Sequence, residues 1–178
     1  MRKKEKKINF EWIRITIDYF SVSSKADKNI EVIFPIMISF ITSMMYYTWN
    51  DTVHALKVFS ELLLNLDSIL IGFTGILVTL LLTTENKTIN TLREKEIDRK
   101  LYGKKVNLFD LLHILFTNAL LNELILLIIV LFNLFLMGLI CTKVICLIGL
   151  MIEEFMILNI IFSMIRGVNN LYWTFKKN

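Results

Sequence analysis

Proline occurs once, glycine six times and cysteine twice in 178 residues, and alanine only at positions 26, 55 and 119. So little proline and glycine excludes a collagen, a disordered chain and a multidomain protein strung on flexible linkers. Two cysteines cannot build a disulfide scaffold or a multi-cysteine zinc or iron–sulfur module. Two histidines, His54 and His113, lie far apart in the chain and make neither a metal site nor a catalytic triad. There is no glycine-rich loop to cradle a phosphate. What is abundant is apolar mass: 55% of the residues are hydrophobic, while 20% still carry charge. Grease and charge are therefore segregated along the chain.

The apolar residues fall into blocks long enough to cross a bilayer, which takes about 20 residues for a hydrocarbon core of ~30 Å. Four windows qualify: 30–48, 58–83, 112–140 and 144–165. The third contains LILLIIVLFNLFLMGLI, interrupted only by Asn133, with no polar stripe of the kind a soluble bundle requires. The predicted fold class is all-α, a polytopic membrane protein with four transmembrane helices forming a single membrane domain. Lys and Arg number eight in residues 1–29 and seven between spans two and three. Three more follow span four, against one in each of the other two connections. The positive-inside rule then predicts both termini and the middle loop on the cytoplasmic side of a bacterial inner membrane. Tyr46, Tyr47 and Trp49 beyond span one, and Tyr172 and Trp173 beyond span four, suit headgroup depth. The same bias accounts for the net charge of +4, which reports topology and not a nucleic-acid partner.

Residues 1–29 begin MRKKEKK and continue INFEWIRITIDYF, where Glu11, Arg14 and Asp18 share one helical face. They read as an amphipathic helix, either in the inner interface with its basic residues on anionic lipid or capping the bundle from the cytoplasm. Residues 84–111 read as a charged cytoplasmic loop in which span two continues as a helix as far as Gly103, with an i,i+4 pair between Glu96 and Lys100. Arg93, Lys95, Arg99 and Lys100 are its candidates for docking a soluble partner. Residues 166–178 read as a short cytoplasmic tail.

Polar groups inside the spans are the informative feature. Asn65 and Asp67 lie in span two, Asn118, Asn122 and Glu123 in span three, and Glu153, Glu154 and Asn159 in span four. No Lys or Arg falls inside a span to pair with the acids. An acid at a helix centre costs roughly 2.5–3.5 kcal/mol on insertion, so span four, with two of them, should enter paired with span three and hide them from lipid. Intramembrane ionisable groups are functional candidates by default. Asp67, Asn118, Asn122, Glu123, Glu153 and Glu154 are thus candidates for a polar path or gate. Protonated acids bonding to asparagines as helix–helix glue, or acids pairing with a basic group of another membrane protein, remain open beside it. Glu153 and Glu154 are about 100° apart on their helix, which would let one face a neighbouring subunit. Ser68, Gly72, Gly75 and Thr79 form a ridge of small residues on span two, suited to close helix contact within the bundle or between subunits. Pro35 falls in the first turn of span one, where proline is tolerated. Cys141 and Cys146 read as small hydrophobes. No enzyme activity and no cofactor are expected.

The run GFTGILVTLLLTTEN leading into LREKEIDRKLY, within a compact four-span chain, resembles the small membrane subunits of bacterial anti-phage defence systems over roughly residues 60–140. That resemblance is architectural. It implies an antiviral effector that works beside a cytoplasmic sensor and alters the membrane when triggered, and it assigns no functional residue. The expected function is a small homo-oligomeric membrane effector or pore-forming subunit, conducting or gating cations or protons under control of a cytoplasmic protein. The alternative is a non-conducting anchor that recruits a soluble protein through residues 84–109.

Overall fold

The computed structural model describes residues 11–48, 52–84, 87–139 and 142–176. The chain opens with α1 (Glu11–Val22), whose Tyr19 and Val22 are buried. Ser24 then caps α2 (Lys25–Lys28): its hydroxyl accepts from the Asp27 amide, and the Asp27 carboxylate accepts from the Ser24 amide. This reciprocal pair satisfies two of the donors a helix start leaves free. A π-helical turn, Asn29–Ile33, joins α2 to α3 (Phe34–Thr48). Next come α4 (Thr52–Thr83), the short α5 (Lys87–Glu94), a hairpin of β1 (Glu96–Leu101) and β2 (Lys104–Asn107), and the long helices α6 (Leu108–Met137) and α7 (Lys143–Lys176).

Four helices are long and apolar enough to cross a membrane: Lys25–Thr48, Thr52–Thr83, Leu108–Met137 and Lys143–Trp173. Each contains most or all of a predicted window, and each starts earlier. Successive helices run in opposite directions, and α7 packs against α3, α4 and α6. Leu63, Leu126, Val130, Ile157 and Ile160 fill the middle of that bundle. The outward faces carry large apolar side chains, among them Ile69 at 69% exposure and Ile128 at 66%. That inversion, grease outside and carboxylates inside, is what a lipid solvent selects.

Three features differ from the sequence reading. First, the charged connection is helical only over α5 (Lys87–Glu94), separate from α4, and not as far as Gly103. The α4 helix stops at Thr83 and residues 96–107 form an antiparallel hairpin. Its turn is Tyr102–Gly103, both with positive φ (51° and 81°). Two consecutive left-handed residues close a two-residue hairpin whose twist matches the strands. Burial alternates along β1, with Ile97, Arg99 and Leu101 turned inward, a period of 2 where a helical period was expected. Glu96 consequently pairs with Lys105 across the hairpin at 2.9 Å and not with Lys100 along a helix. Second, the tail after residue 165 is not a separate segment, because α7 continues to Lys176. Third, Pro35 lies well inside a continuous helix. The π turn immediately before it absorbs the missing N–H, and the Phe34 amide reaches back to the Asn29 carbonyl.

Cys146 is buried and disulfide-bonded, not a free small hydrophobe. Cys141 and Trp49 lie outside the described residues. The α1 helix packs on α6 and β1, while Trp12, Ile13, Ile17 and Phe20 remain exposed on its other side.

Candidate functional site

Polar side chains line the interior of the bundle, and α4 supplies a regular share. Ser60, Asp67 and Thr74 recur every seven residues and are each 0% exposed. A seven-residue step returns to the same helix face, about 10.5 Å further along. The Ser60 hydroxyl donates to both oxygens of Glu153 on α7, at 2.9 and 3.0 Å. The Asn133 amide of α6 donates to the same carboxylate at 2.9 Å. Gly149 makes room for this: a Cβ there would sit 3.1 Å from the Asn133 amide nitrogen. Glu153 therefore joins α4, α6 and α7. Glu154 turns the other way and accepts from Thr42 and from Ser43 (3.4 Å), both on α3. Both glutamates are bonded within the chain.

Further along, the Thr74 hydroxyl donates to Glu123 Oε1 at 2.7 Å. Glu123 Oε2 and both oxygens of Asp67 are buried with no hydrogen-bond partner among the described residues. Asn118 is buried too, and its carbonyl oxygen has no partner among the described residues. It lines a small cavity of about 200 Å³ with Thr16, Tyr19, Phe155 and Asn159. Asn65 is exposed and bonds to its own helix at the Glu61 carbonyl.

At the end of the bundle that carries α1 and the hairpin lies a charged cluster the sequence reading did not assemble. Arg166 on α7 contacts Glu31 Oε1 at 2.9 Å and Asp27 at 3.1 Å. Its guanidinium also donates to the Ser23 hydroxyl and lies over the Tyr19 ring. Arg99 of β1 pairs with Asp27 at 2.9 Å and donates to the Val22 carbonyl at 2.8 Å. Tyr19 donates to the Glu31 carboxylate. Burial, and then that bond, raise the Tyr19 phenol well above its usual range, so it stays protonated and remains a donor. The Glu31 carbonyl is free because Pro35, four residues on, has no N–H to give it. Asn159 takes it instead at 2.6 Å and accepts from Asn122 at 3.1 Å.

Of the residues expected to form a path, the structure thus joins Glu153 to Ser60 and Asn133, Glu123 to Thr74, and Asn122 to Asn159. Glu31, Asp27 and Arg166 were missed. Glu31 sits at the edge of span one among charged residues, and Arg166 one residue past the end of span four. The signals that could have exposed them were the proline four residues after Glu31 and a lone arginine against an apolar run.

The other expected residues separate by location. Ser68, Gly72 and Thr79 are exposed and Gly75 is half-buried. A Cβ at Gly72 or Gly75 would meet nothing within 4 Å among the described residues, so these glycines are not there for a close helix approach within the described bundle. The tight helix approach lies between α6 and α7, where a Cβ at Gly167 would come within 2.8 Å of the Phe116 ring. Among the docking candidates, Arg93 and Lys100 are exposed and Lys95 is half-buried. Arg99 is committed to Asp27 and the Val22 carbonyl and is no free docking residue. Among the described residues, no group of three His, Cys, Asp or Glu side chains is placed to hold a metal ion. No family model, curated protein or solved structure matches the chain.

Proposed function

We propose that this chain is a small, homo-oligomeric, multi-pass protein of a bacterial inner membrane, with both termini in the cytoplasm. Its buried acids carry or gate protons or small cations, and its charged cytoplasmic end controls them. The observation that carries this reading is the file of buried polar groups inside one chain. It runs from Glu153 and Ser60 past Asp67, Thr74 and Glu123 and ends near the Arg166 cluster. A membrane helix bears the cost of a buried carboxylate only where the group pairs, or serves a polar pathway. The Lys and Arg count supports a cytoplasmic position for the Arg166 cluster. The disulfide at Cys146, on the opposite end, suits the oxidising side of the membrane. Arg99 bonds the hairpin to Asp27, and Asp27 to Arg166, so a cytoplasmic protein that lifts the hairpin would disturb the end of the file. An antiviral role, as the resemblance implies, fits an effector triggered in that way.

The test is ion and proton flux through liposomes holding the purified protein. Wild type should conduct, alone or with a co-purifying cytoplasmic protein, and the Asp67→Asn/Glu123→Gln variant should not. Absence of flux in every condition, from protein that remains assembled, would defeat the reading.

A second reading is supported by Glu153 and Glu154. Both are held by hydroxyl and amide donors, as interhelical glue would be. On that reading the chain is a non-conducting anchor. Charge reversal at the exposed Arg93 and Lys100 would then abolish function, while Glu153→Gln and Glu154→Gln would spare it.

A further inference from the structure

Between α1, the hairpin and the start of α6 lies a cavity of about 520 Å³, a size that holds small ligands. The exposed Lys104 and Lys105 of β2 and Asp110 in the first turn of α6 line one part of it. The half-buried His113, Ile114 and Thr117 line another. Asp110, His113, Ile114 and Thr117 follow one another at steps of three and one and three, on one face of α6. The cavity therefore tracks that helix for ~10.5 Å. Because α6 is long and apolar enough to cross a membrane, the cavity leads from charged groups at the start of the helix towards its apolar length. Two of the polar groups are already engaged. Lys105 pairs with Glu96 at 2.9 Å, and the Tyr102 hydroxyl at the rim donates to Asp18. Lys104 and Asp110 take part in none of the ion pairs among the described residues. One cation on the hairpin and one anion on α6 thus remain for a ligand.

We propose that this cavity holds a phospholipid with an aminoethyl phosphate headgroup, its phosphate at Lys104 and its ammonium at Asp110. A lysine ammonium meets a phosphate as a point charge, and a primary ammonium brings three N–H donors to a carboxylate. His113 and Thr117 lie 3.3 Å apart on the same face, and their polar atoms fall where glycerol ester oxygens would follow the headgroup. Ile114 stands beside them for the first carbons of an acyl chain. Tyr102, 66% exposed at the rim, suits headgroup depth. The other common headgroups fit less well. Phosphatidylglycerol brings a phosphate and no cation, which leaves Asp110 facing negative charge. The quaternary ammonium of phosphatidylcholine has no N–H to give a carboxylate. A soluble headgroup without chains would leave the α6 strip from Ile114 to Thr117 unused. Such a site goes beyond the proposed function, since a conducting and a non-conducting chain could both carry it.

Native mass spectrometry of the full-length protein released from detergent micelles tests this. The micelles carry phosphatidylethanolamine, phosphatidylglycerol and phosphatidylcholine in equal amounts and with identical acyl chains. Wild type should retain one phosphatidylethanolamine per chain, preferred about tenfold over the other two, the worth of one charge-assisted hydrogen bond. Lys104→Gln should lose that preference. Asp110→Lys should transfer it to phosphatidylglycerol, a reversal that a folding defect does not produce. Both positions are exposed, so the unfolding midpoint of each variant in detergent should stay near that of wild type. Equal retention of the three lipids by wild type overturns the proposal. So does an Asp110→Lys variant that still prefers phosphatidylethanolamine. Glycerophosphoethanolamine, the same headgroup without chains, should fail to displace the bound lipid at equal concentration. Displacement would make the ligand a soluble phosphate amine and overturn the lipid site.

Discussion

Replacing Arg166 with Met would strip the cation from Glu31, which is 2% exposed, and from Asp27. Breaking a buried pair by removing one partner costs about 3–5 kcal/mol, because the remaining charge stays buried. The Arg166→Met variant should therefore unfold at distinctly lower temperature in detergent. Adding Glu31→Gln should recover much of the loss, since the stranded charge goes with it. Additive losses in the double variant would show that the two side chains act independently. The cluster also marks where residue-level reading stops. That carboxylates inside the spans must be buried and partnered follows from insertion cost alone, and so Glu153, Glu154 and Glu123 were legible. Which hydroxyl or amide serves each one depends on helix rotation and crossing, which one sequence does not specify. Glu31 was invisible for another reason: a charge at the end of a hydrophobic window looks like a solvated flank until a cation is found folded back onto it.

At the scale of elements, the four long helices could be read because twenty apolar residues in a row admit few alternatives. The 84–111 connection could not, because its Lys and Glu favour helix while tertiary context overrides that preference in the hairpin. There the Tyr102–Gly103 turn and the alternation along β1 decide. Small residues misled in a similar way. On the Ser68–Thr79 ridge of α4, a Cβ at Gly72 or Gly75 would meet nothing within 4 Å among the described residues, whereas Gly167, not singled out, is pressed against Phe116. The two kinds of glycine should respond oppositely. Gly167→Val forces atoms into a filled core and should cost about 1–3 kcal/mol, read as a lower unfolding midpoint. Gly72→Val should leave that midpoint near wild type. If it instead lowers the mass measured by size-exclusion light scattering from that of a proposed oligomer, the ridge serves a second copy of the chain. If Gly72→Val unfolds as readily as Gly167→Val, the placement of α4 is wrong.

For the whole molecule, the lengths match the thickness of a bilayer. Lys143 at the start of α7 stacks over the Tyr47 ring at the end of α3. Lys176 stacks over Tyr172 and Trp173 at the opposite end. From Lys143 to Tyr172 the helix rises ~44 Å at 1.5 Å per residue, matching the ~40–45 Å of a bilayer with its headgroups. Measured from Lys143, Glu153 then lies ~15 Å deep and Arg166 ~35 Å deep. In the proposed orientation, the Arg166 cluster would fall near the inner edge of the hydrocarbon, with Glu153 towards the outer side. The hairpin and α1 extend beyond, where the exposed Trp12, Ile13, Ile17 and Phe20 can enter the interface. Orientation is measurable with a membrane-impermeant maleimide, since Cys146 is held in a disulfide. Cysteine placed at the exposed Lys57 should label in intact cells. Cysteine placed at the exposed Lys100 should label only after the membrane is permeabilised. The reverse pattern would put the Arg166 cluster outside, where no cytoplasmic protein could reach the Arg99 contact, and control of the acids from that side would have to be abandoned.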